Sequence, residues 1–231
     1  MNYARPSFGM TPVVKNLIIV NALFYMASIV FKSAMGIQLE HYLGLHLPMA
    51  TNFHIYQFVT YMFMHAYPNP SHIFFNMFAL FMFGQMLENA MGAKRFLVYY
   101  FVTGIGAGFI QELAWVYDLR DVIFSDYESV NIGGQILSTA EYYNLYITVG
   151  ASGAVFGILL AYGMLFPNNV IVLMFPPIPL RAKYFVLIYG AIELFAGVRG
   201  GGDGVAHFAH LGGMLFGFLL LMYWRRSFNG Q

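Results

Sequence analysis

Six apolar stretches, at about residues 17–31, 71–91, 96–116, 150–166, 184–198 and 205–224, divide this 231-residue chain. A bilayer's hydrocarbon core is about 30 Å thick, a distance that about 20 helical residues cross. Water does not reach the backbone there, so a spanning segment must satisfy its own N–H and C=O groups, as a helix does. The pattern predicts an all-α polytopic membrane protein, a six-transmembrane-helix bundle forming a single domain over residues 1–231. Hydrophobic residues make up 59% of the chain and charged ones 9%, which excludes an ordinary soluble domain. A formal charge of +1 with no basic block argues against nucleic acid. The lack of cysteine excludes disulfides, thiol catalysis and cysteine-ligated metals.

The connections differ in kind. Pro6 and Pro12 argue against a helix ahead of the first stretch. Residues 32–70 are too long for a turn and too apolar for a solvated loop. They read as a partly embedded interfacial segment with short helices near Gln38–Tyr42 and Ile55–Met64. Residues 117–147 hold Asp118, Asp121, Asp126, Glu128 and Glu141 and read as an extramembrane loop with room for a short helix. Pro167, Pro176, Pro177 and Pro179 mark an irregular connection, and Gly200–Gly204 a flexible hinge. With six spans, Arg5, Lys15, Lys94, Arg95, Arg181, Lys183, Arg225 and Arg226 fall on one side, against Lys32, Arg120 and Arg199 on the other. Cations favour the cytoplasm, so both termini are expected there, and the heads of the second, fourth and sixth spans face the outer leaflet.

Polar residues within spans are costly and mark function by default. The run Gly153–Phe166 holds 14 residues, roughly 21 Å of helix, so its head lies below the membrane surface and Ser152 with it. A serine among small residues is most often a packing feature. It gains meaning here from its company: His210 near the outer end of the sixth span, and His72 and Asn76 one helical turn apart on the second. Gly153 and Gly157 form one Gly-x-x-x-Gly ridge and Gly213 and Gly217 another, so two helices can dock closely and bring Ser152 to His210. An imidazole can take the hydroxyl proton, and the amides of a helix start, with the His72 and Asn76 side chains, can face an oxyanion. Together these groups form the minimum set for acyl transfer. His207 and His210 stand three apart and could ligate a metal, but there is no His-Glu-x-x-His and no obvious third ligand, so neither metal nor cofactor is expected.

From about Gln57 to Phe218 the chain resembles the rhomboid family of intramembrane serine proteases, of the bacterial six-helix type. The resemblance is carried by His72-Ile-Phe-Phe-Asn76, Gly84 and Glu88, Gly150-Ala-Ser152-Gly153, and Ala209-His210-Leu-Gly-Gly213 with Gly217. It implies a Ser–His dyad without a third acid, with Ser152 as nucleophile and His210 as general base. It also implies an oxyanion site of His72, Asn76 and the Ser152 amide. His207 is a rival base, but His210 is the one followed by glycines three and seven positions on. Where the family often has a tyrosine against the catalytic imidazole this chain has Phe156, and Tyr56-Gln57 stands where a Trp-Arg pair is frequent. Glu88 is expected to be structural, paired with Lys94, Arg95 or a backbone amide. The implied substrates are single-pass or polytopic membrane proteins, entering from lipid past the fifth helix and the hinge. The implied location is the bacterial inner membrane. Two rivals from other classes are a catalytically inactive relative that binds membrane clients and a small transporter. The first should lack the serine or histidine. The second should show repeats or a charged pathway, and Glu112 and Glu193 are too few and scattered for one.

Overall fold

The computed structural model describes residues 9–173, 177–199 and 205–229, with side chains as far as residue 225. Arg5, Pro6, Pro176 and the expected hinge Gly200–Gly204 lie outside the described residues. The chain is mostly helical. Helix α1 is Pro12–Met35, followed by a short α2 (Glu40–Leu43), strand β1 (Leu45–His46) and α3 (Gln57–Thr60), which runs into a 3-10 turn at Tyr61–Phe63. Then come α4 (Pro70–Ala79), a π turn (Leu80–Gly84), α5 (Gln85–Met91), α6 (Ala93–Asp118) and a short α7 (Arg120–Ile123). Strands β2 (Ser129–Ile132) and β3 (Gln135–Ser138), α8 (Thr139–Tyr143) and β4 (Ile147–Thr148) lead to α9 (Ser152–Leu165). Strands β5 (Val170–Val172) and β6 (Pro179–Arg181), then α10 (Ala182–Arg199) and α11 (His207–Asn229), complete the fold.

Three helices, α1, α6 and α11 as far as Arg225, are long and apolar enough to cross a membrane. Helix α9 is a shorter apolar helix of 14 residues. Leu23, Val30, Phe74, Leu187 and Phe195 all point outward, an apolar exterior suited to lipid. The all-α expectation needs one amendment, because the connections hold three two-stranded antiparallel pairs. The β2–β3 pair turns through Gly133 and Gly134, both at positive φ, the conformation a two-residue hairpin turn demands. Ser138 and Glu141 then form a capping box that starts α8.

Pro12 does not precede the first helix but opens it. Proline's missing N–H and fixed φ suit the first helical position, where no intrahelical bond is lost. The next two amides are satisfied from far along the chain. Glu88 Oε1 accepts from Val13 N–H at 3.0 Å and Oε2 from Val14 N–H at 2.9 Å. A carboxylate at a helix N-terminus meets both the orphan donors and the positive end of the dipole. Of the partners open to Glu88, the structure thus selects backbone amides.

Helices α6, α9 and α11 form the centre of the molecule. Small residues let them approach. A Cβ added at Gly213 would strike the Gly153 carbonyl oxygen, and one at Gly157 would lie 2.6 Å from Thr103 Cβ and 3.0 Å from the Gly213 oxygen. The α6 helix is part of the same seam: a Cβ at Gly153 would strike Ala107, and one at Gly217 the Tyr99 hydroxyl. Tyr99, fully buried, donates its hydroxyl to the Gly157 carbonyl at 2.8 Å.

The segment 32–70 is scaffold as much as surface. Leu45, His46, Leu47, Met62, Met64 and His65 are fully buried. Gln57, also buried, accepts from the His46 and His54 amides at 3.3 and 3.1 Å and donates to the Tyr42 and Asn52 carbonyls at 3.2 and 2.8 Å. One neutral amide therefore ties this loop together.

Replacing Gly213 by alanine should lower stability in detergent by about 1–3 kcal/mol, because its Cβ meets backbone rather than a movable side chain. Glu88→Ala should cost about 1.5–3 kcal/mol by leaving two amides without their charged acceptor. Thermal unfolding in detergent checks both, and a Tm unchanged from wild type would contradict either assignment.

Candidate active site

Ser152 is the first residue of α9, and the chain arrives there under tight control. Strand β4 pairs with β1, Leu45 opposite Thr148 and His46 opposite Ile147. The Gly150 amide then donates to the Tyr61 carbonyl at 2.9 Å. Gly150 has φ +135°, a backbone region closed to most side chains, and a Cβ there would sit 2.9 Å from His72 Nε2. That glycine thus serves both the sharp turn into α9 and the close approach of an imidazole.

The Ser152 Oγ lies 2.8 Å from His210 Nε2. His210, on α11, is buried, and its imidazole stacks on the Phe156 ring with centroids 4.1 Å apart and planes 8° from parallel. Phe156 is one turn along α9 from Ser152, so nucleophile candidate and stacking ring belong to one rigid element. His207 does not face the serine. Its Nδ1 lies 2.7 Å from Glu193 Oε2.

His72 and Asn76 share a face of α4. The Ala66 amide donates to His72 Nδ1 at 3.3 Å, so in the neutral ring the proton sits on Nε2, on the side of Gly150 and Ser152. Asn76, buried, donates one amide hydrogen to the His72 carbonyl at 3.0 Å, and its second N–H remains to donate elsewhere. The ring of His65, between the 3-10 turn and α4, packs edge-on against His72 with centroids 5.1 Å apart. Burial, reinforced by that neighbour, pushes the His65 imidazole down to about 3, so it is a neutral wall. The first amides of α9 have no intrahelical acceptor and carry the helix's partial positive charge. A hydroxyl with an imidazole acceptor, flanked by N–H donors, can carry out acyl transfer.

A cavity of about 460 Å³ runs between α4 and α10. Asn76 and Phe156 line it at the site, and Phe75, Met82, Phe185 and Tyr189 line it further out. It is mostly apolar.

One member of the site is absent from the sequence reading. Glu193 on α10 is buried, and its Oε2 lies 2.9 Å from His210 Nδ1 as well as 2.7 Å from His207 Nδ1. The sequence signal for it was a lone acid in the C-terminal half of an apolar helix, which by default requires a partner. The donor atoms of Glu193, His207 and His210 all lie within 4.8 Å of one another. Around a tetrahedral zinc such donors stand about 3.3–3.5 Å apart. The 2.7 and 2.9 Å contacts are shorter than that and suit shared protons.

The comparisons with known proteins agree on one family. A family model for the rhomboid domain matches residues 52–227. The chain is 29% identical over 224 residues to the Rhomboid protease AarA of Providencia stuartii, covering 94% of this chain and 74% of that protein. It is 32% identical over 181 residues to the chloroplastic Rhomboid-like protein 11 of Arabidopsis thaliana, covering 72% of this chain and 51% of the plant protein. The chain thus spans about half the length of that second relative. Apolar helices and this kinship mark an integral membrane protein. With the family model extending over more than half of its length, the chain belongs to the rhomboid family.

Proposed function

We propose that this protein is an intramembrane serine endopeptidase that cleaves transmembrane segments of other membrane proteins. The observation that carries the reading is the 2.8 Å contact between Ser152 Oγ and His210 Nε2 at the start of a helix. Kinship with a rhomboid protease supports it.

In the proposed arrangement one domain crosses the bilayer six times, through α1, the α4–π–α5 helix, α6, α9, α10 and α11. Both termini are cytoplasmic, and the membrane is a bacterial inner membrane. A substrate segment enters laterally from lipid through the apolar cavity between α4 and α10 and unwinds at the site. His210 Nε2 takes the Ser152 hydroxyl proton as Oγ attacks the peptide carbonyl. The negative charge that develops on the carbonyl oxygen faces the Ser152 amide, His72 Nε2–H and the second N–H of Asn76. Collapse of the tetrahedral species breaks the C–N bond, and the leaving amine takes the proton from His210. Water then gives a proton to His210 and attacks the acyl-enzyme, and its breakdown returns the proton to Ser152. Gly150, Gly153, Gly213 and Gly217 shape the site, and Phe156 holds the plane of the base.

The test is cleavage of a generic transmembrane substrate by purified protein in detergent. Ser152→Ala and His210→Ala should each lower kcat by about 10³-fold or more. Asn76→Ala should lower it by about 10²-fold. A fluorophosphonate should label wild type at Ser152 alone. Cleavage that survives Ser152→Ala would overturn the reading in favour of an inactive, client-binding relative accompanied by a contaminating protease.

A further inference from the structure

We propose that Glu193 is a positioning residue for His210, so that the site works as a Ser152–His210–Glu193 chain rather than as a serine–histidine pair. The inference rests on the reading of Ser152 and His210 given above and adds a third member to it.

The argument begins with what a carboxylate can do. An ionised carboxyl only accepts hydrogen bonds. Two imidazoles meet the same Glu193 oxygen through Nδ1, His210 at 2.9 Å and His207 at 2.7 Å. Each must therefore present an Nδ1–H. A neutral imidazole has one N–H, so His210 is left with a bare Nε2, the atom 2.8 Å from Ser152 Oγ. That is the tautomer a general base needs. With the proton on Nε2 the ring would donate to the serine and could not take its hydrogen.

Nothing else in the site decides this. The Phe156 ring holds the plane of the imidazole, 8° from parallel, but a stacked face makes no hydrogen bond and is indifferent to which nitrogen carries the proton. The Ser152 hydroxyl can donate or accept, whereas an ionised Glu193 only accepts, so it is the Glu193 contact that places the proton on Nδ1. It also supplies charge. When His210 takes the serine proton it becomes a buried imidazolium, and the carboxylate stands beside it.

Burial argues the same way. Glu193 is 8% exposed, on a helix whose neighbouring residues Ile192, Leu194 and Phe195 face outward. A buried acid in an apolar helix is expensive unless it is partnered. Both of its imidazole partners come from the first turn of α11. His207 then has a task of its own. It fixes the oxygen on which His210 depends, from one helical turn away.

Three measurements on the full chain in detergent test this. In nitrogen-15 histidine spectra of resting wild type, His210 should be protonated on Nδ1 and bare on Nε2. Glu193→Leu, which keeps the volume and removes the acceptor, should redistribute that proton and lower kcat by about 10²–10⁴-fold with KM within about threefold. Glu193→Gln, nearly the same shape and retaining an uncharged acceptor, should fall between the two in kcat. Either of two results overturns the proposal: a resting spectrum with the proton on Nε2, or variants that keep wild-type kcat. The spectrum needs no activity and no substitution. A failure of the proteolytic reading, seen as cleavage that survives Ser152→Ala, is therefore separate from a failure of this one.

Discussion

The contact of Gly213 with the Gly153 carbonyl is the constraint from which the rest of the site follows. Association of helices in lipid gains little from apolar burial, because the surroundings are as apolar as the interface, so close packing and hydrogen bonds must supply the attraction. At this crossing there is no room even for a methyl group. Helices α9 and α11 therefore meet backbone to backbone, and a short serine side chain on one reaches an imidazole on the other. A Cβ between them would lengthen the 2.8 Å distance between Ser152 Oγ and His210 Nε2. Helix α6 closes the third side, with Tyr99 donating to the Gly157 carbonyl and Thr103 packed against Gly157.

Around this centre, groups that would be costly in an apolar setting are satisfied by partners far away in sequence. Glu88 caps α1 by accepting from the Val13 amide, 75 residues earlier in the chain. Gln57 makes four bonds that hold the 32–70 segment. Tyr61 donates to the Gly104 carbonyl at 2.6 Å, while its own carbonyl receives the Gly150 amide just before the serine. The loop between the first two long helices is thus a template for the turn into α9, and not merely a float at the membrane surface.

Much of this was legible in the sequence, and the limits are physical. The apolar runs marked the long helices, because spanning a bilayer requires length and continuity. The Gly-x-x-x-Gly pairs marked the close crossing, because only glycine fits there. Motif spacing distinguished His210 from His207. What stayed hidden was which side chains meet across helices beyond Ser152 and His210. Glu112 and Glu193 look alike in the sequence, each a lone acid in an apolar run. In space Glu193 takes two imidazoles, while neither oxygen of Glu112 has a hydrogen-bond partner among the described residues. Pro12 misled for a local reason: proline discourages a helix inside it but not at its first residue. The role of Gln57 was invisible because its four partners are backbone groups, which leave no mark on composition.

The π turn at Leu80–Gly84 sets the rotational phase of the helix that contains it. Asn76 and Glu88 lie twelve positions apart, which in an unbroken α-helix is about 3.3 turns and leaves them on different sides. A turn closed from i to i+5 takes up one residue more than an α turn, so the separation becomes about 3.1 turns. The amide near one end and the carboxylate near the other then share a bearing, and both are buried. Shortened by one residue, this helix would have to choose between its ends, keeping either the asparagine turned toward α9 or the glutamate beneath α1.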